Sequence, residues 1–214
     1  MKKILISMRI DLYSSYKEER NALSLDWSKL FFKYDIFPIP VLNYKNPKNF
    51  NLIELNSLNI DGLILTGGND VNYNKKDKLS YIRNLNEKNL IKYSIKNKIP
   101  ILGVCRGFHM LNKYFKGKVS KNNDLMHINK KHQIIIDKKF NFLGKKYIVN
   151  SFHNQVIKNT ELSKNLDAIA YTSDNLIEAF KHKKYKIYGV QWHPERQNSN
   201  LDKKLFEIFL NKKK

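Results

Sequence analysis

Ile99-Pro100-Ile101-Leu102-Gly103-Val104-Cys105-Arg106-Gly107 decides how this chain folds. The apolar run entered through Pro100, Ile99–Val104, reads as a buried strand. Arg106–Phe115 reads as a helix ending near Gly117. A strand, one nucleophilic side chain and a helix, bracketed by glycines, form the layout of a nucleophile elbow. The turn pushes Cys105 out at the carboxyl end of the sheet, where the helix N-terminus favours thiolate over thiol. The N–H of Arg106 faces the same space and suits an oxyanion. A lone cysteine after a core strand is ordinarily structural, so this segment alone leaves both roles open.

The rest of the first half alternates short apolar runs with amphipathic segments. Lys3–Ser7 reads as a strand. Glu19–Tyr34 reads as a helix through Ala22, Leu23, Leu25, Trp27, Leu30 and Phe31. Ile36–Leu42 is a strand broken by Pro38 and Pro40, and Phe50–Leu58 a short helix. Gly62–Leu65 is a strand running into the turn Thr66-Gly67-Gly68-Asn69-Asp70. Asp77–Asn97 is a helix carrying Leu85, Leu90, Ile91 and Ile95. The second half is strand-rich, with Gln133–Asp137, Tyr147–Asn150, Ala168–Thr172, Ile177–His182 and Ile187–Trp192, and closes on a helix, Leu201–Leu210. This order predicts an α/β layer fold with a mixed sheet. No repeat, linker or domain break is visible, so residues 1–214 read as one domain.

The 214 residues are 42% hydrophobic and 28% charged, which excludes disorder, collagen and disulfide-scaffold classes. Cys105 is the single cysteine, so no intrachain disulfide exists. Lys+Arg is 40 against Asp+Glu 19, a net +21. The lysines are scattered doublets such as Lys2-Lys3 and Lys183-Lys184, as compositional bias would produce, whereas a nucleic-acid site clusters its charge. A preference for an anionic small substrate stays open, with Arg9, Arg20, Arg106 and Arg196 as candidate contacts. Neither nucleic acid nor membrane is expected as a partner. Arg9 and Asp11 cut the N-terminal apolar run short of a signal peptide, and no run approaches a membrane span. A cytoplasmic protein with a reduced thiol is the expectation.

Gly189-Val190-Gln191-Trp192-His193-Pro194-Glu195 supplies what Cys105 needs. A thiol nucleophile requires a base to take its proton and return it to the leaving group. The base needs a third group to hold its tautomer. His193 and Glu195 fit these parts, although a surface turn would also accommodate them. In the turn at 66–70, paired glycines let a backbone N–H approach a ligand.

These three segments, in this order, resemble class I glutamine amidotransferases over about Lys3 to Phe209. The resemblance implies a flavodoxin-like three-layer α/β sandwich with a central mixed, mostly parallel sheet. It also implies a catalytic triad of Cys105, His193 and Glu195 and an oxyanion hole formed by Gly68 and Arg106. Asn150-Ser151-Phe152-His153-Asn154-Gln155 is similar to the segment that grips the glutamyl α-groups. Substrate contacts are therefore expected from Gly67, His109, Asn150, Ser151, Phe152 and His153. Together with Glu178-Ala179-Phe180, the motifs look most like the branch containing γ-glutamyl-γ-aminobutyrate hydrolase, of peptidase C26 type. Its members cleave γ-glutamyl amides with water. Glu19-Arg20-Asn21-Ala22-Leu23 followed by Trp27 is similar to small members found with surface-polysaccharide genes, among them a γ-glutamyl-CMP-amidate hydrolase of capsule phosphoramidate synthesis. The alternative within the superfamily is a glutaminase subunit delivering ammonia to a synthase partner in trans.

His109 stands where many relatives carry glutamine four residues after the nucleophile. Imidazole can still donate one hydrogen bond, and a partly buried structural histidine is the other reading. His127 and His132 lack further ligands at zinc spacing, so no metal is expected. No cofactor is implied, because the cysteine chemistry is self-sufficient. His182, among lysines, reads as surface.

Overall fold

The computed structural model describes residues 1–47, 53–71, 77–121, 128–137, 146–197 and 199–211. The chain begins with β1 (Lys2–Ser7), a hairpin of β2 (Arg9–Tyr13) and β3 (Glu18–Ala22), α1 (Asp26–Tyr34) and β4 (Ile36–Val41). β5 (Gly62–Leu65), α2 (Lys78–Lys96), β6 (Ile101–Val104) and α3 (Arg106–Tyr114) follow. Then come β7 (Ser120–Lys121), β8 (Ile128–Ile136), β9 (Lys146–Phe152), β10 (Gln155–Val156), β11 (Leu166–Thr172), β12 (Ile177–His182) and β13 (Ile187–Val190). α4 (Pro194–Gln197) and α5 (Asn200–Phe209) end the series.

Nine strands form one sheet in the order β4-β1-β5-β6-β13-β12-β11-β8-β9. β4 through β13 run parallel, and β12, β11, β8 and β9 extend the sheet antiparallel. Alternation along the buried strands divides the core in two. Ile4, Ile6, Ile64, Leu102 and Val104 face α1 and α5, while Leu5, Leu63, Leu65 and Ile101 face α2 and α3. The result is the three-layer α/β sandwich. Among the described residues, no helix is long and apolar enough to cross a membrane.

Three expectations change. The predicted helix Glu19–Tyr34 starts only at Asp26, because Glu18–Ala22 pairs with Arg9–Tyr13 as a hairpin. Trp27, Leu30, Phe31 and Tyr34 are the buried stripe of α1, at helical spacing, while Leu25 is exposed. Pro38 and Pro40 do not break β4, which runs unbroken at the sheet edge, where a missing N–H is harmless. The predicted helix at Phe50–Leu58 is a 3₁₀ turn over Ile53–Leu58, with its first residues outside those described.

α2 starts on an Asp77 cap that accepts from the Ser80 N–H at 3.0 Å. Besides Ile82, Leu90 and Ile91, it buries Arg83, Asn84, Asn86 and Glu87. α5 is capped by Ser199 and Asp202, and Asp202 also accepts the Trp192 indole N–H at 2.9 Å. That bond fixes the strand end that leads to His193.

The crossing of α3 and β5 is the tightest contact at the elbow. A Cβ on Gly107 would lie 2.2 Å from the Leu65 carbonyl oxygen, backbone against backbone. Gly107→Ala is therefore expected to destabilise the fold by about 3 kcal/mol, the upper range for overpacking. Urea unfolding of the variant measures this, and a loss within experimental error would contradict the close approach.

Candidate active site

The parallel strands β5, β6 and β13 end side by side, and each hands its chain to one part of the site. After β6, Cys105 turns with φ 52° and ψ −102°, and its N–H donates to the Val190 carbonyl of β13 at 2.9 Å. Cys105 is buried and unpaired with any other cysteine. After β13, His193 lies beside it. His193 Nδ1 is 2.7 Å from Glu195 Oε1, which leaves the other ring nitrogen for Cys105. The ring is electrostatically coupled to the Cys105 side chain. Burial works against the imidazolium. Interaction with Cys105 and the hydrogen bond and charge of Glu195 outweigh burial and push His193 up from 6.5 to about 10. This value lies above that of an unfolded histidine. The pairing therefore stabilises the fold at neutral pH, and its contribution is lost as pH rises through about 10.

After β5, the glycine turn packs beneath this pair. A Cβ on Gly67 would meet His193 Cε1 at 2.9 Å, so only glycine lets the turn lie this close. Gly68 has φ +85° and packs against Arg9. A cleft of about 250 Å³ lies between Gly68, the elbow residues Cys105, Arg106 and His109, and residues 152–155.

The sequence-predicted substrate contacts separate into distinct places. Phe152 and His153 line the cleft. The Phe152 ring stands edge-on to His193, 5.8 Å away, with the Arg196 guanidinium over it at 4.7 Å. His153 Nδ1 is 3.0 Å from the Gln155 carbonyl oxygen, and its Nε2 is 3.7 Å from Glu178. Ser151 is fully buried. Asn150 grips the main chain of His193: it accepts the His193 N–H and donates to the His193 carbonyl, both at 2.8 Å. His109 reaches the cleft but is 2% exposed. Burial, reinforced by the Arg106 charge, pushes it down to about 3 despite the nearby polar groups of Gln191 and Gln155, so its imidazole is neutral.

Arg106 corrects an expectation. Its guanidinium does not reach the cleft as an anion contact. It turns inward to Glu87 and to Asn84, the latter at 2.5 Å. Arg20 is paired with Glu18 and lies over Tyr13, and Arg9 is paired with Asp11. His182 is buried against Phe115 and accepts the Lys184 and Tyr185 N–H groups, rather than lying on the surface. Among the described residues, no group of His, Cys, Asp and Glu could hold a metal ion, and His127 lies outside those residues.

Sequence reasoning missed the layer beneath the site. Arg83, Asn84 and Glu87 of α2 are buried there, and Ser7 Oγ donates to Glu87 at 2.9 Å. The one available signal was the Arg83–Glu87 spacing of four on a helix, which ordinarily marks a solvent-exposed pair.

The chain matches the family model described as peptidase C26 over residues 17–195. It is 39% identical to a γ-glutamyl-CDP-amidate hydrolase of Campylobacter jejuni, over 90% of each chain. It is 33% identical to anthranilate synthase component 2 of Cyanophora paradoxa, over 81% of this chain and 86% of that one. A glutamine amidotransferase structure from Thermotoga maritima superposes with a TM-score of 0.64 at 18% identity, covering 98% of this chain and 89% of that one.

The site geometry predicts the titration of His193. Followed by NMR of its ring, it should protonate near pH 10. Cys105→Ala should lower that value more than Glu195→Gln, because the sulfur makes the larger favourable contribution. A wild-type value near 6.5 would contradict the pairing.

Proposed function

This chain belongs to the peptidase C26 family, and from that premise we propose that it is a cysteine-dependent hydrolase that removes the glutamyl group from a γ-glutamyl amide. The observation that carries this reading is the series Glu195–His193–Cys105, in which Glu195 holds the His193 ring at 2.7 Å and Cys105 borders the cleft.

The reaction follows from the parts. The Cys105 thiolate attacks the γ-carbonyl carbon, and the carbonyl oxygen takes up the displaced electron pair. The N–H groups of Gly68 and Arg106 receive that oxyanion, each donor supplying roughly 3–4 kcal/mol. The C–N bond then breaks, and the His193 imidazolium gives its proton to the departing nitrogen. The product is a glutamyl thioester on Cys105. Neutral His193 next takes a proton from water, and the resulting hydroxide displaces the thiolate and frees glutamate. Glu195 holds the ring so that the same nitrogen serves both steps. Asn150, through its two bonds to the His193 main chain, sets where the ring starts.

The leaving group we favour is a nucleotide amidate. Two observations support it: the Campylobacter jejuni relative is named for γ-glutamyl-CDP-amidate, and the chain carries a net +21. In that case the proton from His193 completes the amino group of a nucleotide-linked phosphoramidate, an activated group for decorating capsule polysaccharide, made in the cytoplasm. The CDP form differs by one phosphate from the CMP-amidate that the motifs suggested. A second reading, a glutaminase subunit serving a synthase, draws on the similarity to anthranilate synthase component 2.

Glutamate release from glutamine, γ-glutamyl-γ-aminobutyrate, γ-glutamyl peptides and the CMP- and CDP-amidates decides between them. The expected result is turnover of a nucleotide amidate at least 100-fold above glutamine, abolished in Cys105→Ala. Slow turnover of glutamine alone would favour the subunit reading.

A further inference from the structure

We propose that Arg83 is a positioning residue that presets the oxyanion hole in the free chain, by holding the Gly67–Gly68 peptide with its carbonyl turned inward and its N–H toward the cleft. This rests on the hydrolase reading above and concerns how its site is assembled.

A peptide unit between two glycines has little steric preference for either face. Turned one way, it offers an N–H to the oxyanion. Turned the other way, it offers a carbonyl oxygen, which repels it. Arg83 decides between the two. It is fully buried, and its guanidinium meets the turn with a fork of donors. Nη1 donates to the Gly67 carbonyl at 2.8 Å and to Asn69 Oδ1 at 3.1 Å. Nη2 donates to the Thr66 carbonyl at 2.9 Å and to Thr66 Oγ1 at 3.1 Å. Nε donates to Glu87 Oε1 at 3.0 Å. The Gly67 carbonyl and the Gly68 N–H belong to one planar trans unit and point in opposite directions. With the carbonyl held on Arg83, the N–H points away from it, toward the side where Gly68 borders the cleft with Cys105. Reversing the unit would leave a buried guanidinium N–H without its acceptor.

The other half of the hole is tied to the same anchor. Arg106, whose N–H is the second donor, sends its side chain back to Glu87. Ser7 Oγ donates to Glu87 and accepts the Thr66 N–H at 3.0 Å. One carboxylate thus links β1, the glycine turn, α2 and the elbow. Two guanidinia against one carboxylate leave a positive charge beneath the point where the oxyanion forms, and the charge of Cys105 acts favourably on Arg83. A hole built this way needs no partner protein to assemble it.

The test uses Arg83→Met and Arg83→Lys, each compared with wild type by thermal melting. Three quantities are read: kcat, KM for the preferred γ-glutamyl amide, and the rate of Cys105 alkylation by iodoacetamide. Alkylation occurs at a saturated carbon and develops no oxyanion, so it reports the Cys105–His193 pair alone. The expected result is a fall in kcat of roughly 10²–10³-fold, the effect of losing one hole donor. KM should change by less than about 3-fold and alkylation by less than about 2-fold. Arg83→Lys keeps a cation beside Glu87, so it provides a folded protein if Arg83→Met does not fold. It should still lose more than about 10-fold in kcat, because one ammonium cannot span both carbonyls. Unchanged kcat in a folded variant would overturn the proposal, as would kcat and alkylation falling together. Absence of glutamate release by wild type would instead sink the hydrolase reading.

Discussion

Cys105 carries its side chain on a backbone at φ 52°, a conformation that costs a non-glycine residue about 1–3 kcal/mol. Everything around the elbow serves to hold it there. Its N–H is bound to β13, its carbonyl accepts from His109 at 3.2 Å as α3 begins, and Gly107 lets α3 rest on the Leu65 carbonyl. The same packing brings β5, β6 and β13 into register, so that their carboxyl ends deliver the glycine turn, Cys105 and His193 to one place. The geometry of the candidate site is a consequence of strand order, as expected of open α/β sheets. The antiparallel extension contributes β9, which carries Asn150 to the back of His193 and Phe152 to the rim of the cleft.

The second constraint is electrostatic. Burying two guanidinia with one carboxylate rarely stabilises a fold beyond what well-packed apolar residues would give. Burial pulls Arg83 down to about 9, with Arg106 adding to the effect, so the group is still charged at neutral pH. Burial alone would raise Glu87, but both arginines and the Ser7 hydroxyl hold it below the usual carboxylate range. An arrangement this demanding is understandable where its product is orientation. The Arg83 Nη donors end on main-chain oxygens and side chains of the glycine turn, and Asn69 carries the order outward by bonding both the N–H and the carbonyl of Ile10 in the β2–β3 hairpin.

What could be read in the sequence was what is local. The elbow, the Trp192-His193-Pro194-Glu195 segment and the glycine turn declare themselves because residues adjacent in sequence share one turn, and turn chemistry is short-range. The alternation of strands and helices was legible for the same reason. Residues 19–25 depart from the expected helix because the pairing of Glu18–Ala22 with β2 overrides their helix-like spacing. The buried charges were invisible because their partners are far apart along the chain: Ser7 and Glu87 are separated by 80 residues, Arg106 and Glu87 by 19. Arg83 and Glu87 look like an exposed helix pair until tertiary packing covers them. Asn150 was recognised as part of the site, but its two bonds to the His193 main chain could only be seen in three dimensions.

Positive charge therefore acts on two scales. The basic side chains, mostly scattered, give the chain its net +21, a field that would raise the local concentration of an anionic substrate without gripping it. The arginines nearest the chemistry are committed elsewhere: Arg83 and Arg106 to the layer under the hole, Arg9 to Asp11, Arg196 to the Phe152 ring and Asp26. If Cys105 attacks a γ-glutamyl carbonyl as proposed, the outer charge bears on which substrates arrive, and the inner charge on how readily that carbonyl becomes an anion. Because salt screens only the first effectively, capture of an anionic substrate and the chemical step at Cys105 answer to different parts of the same basic composition.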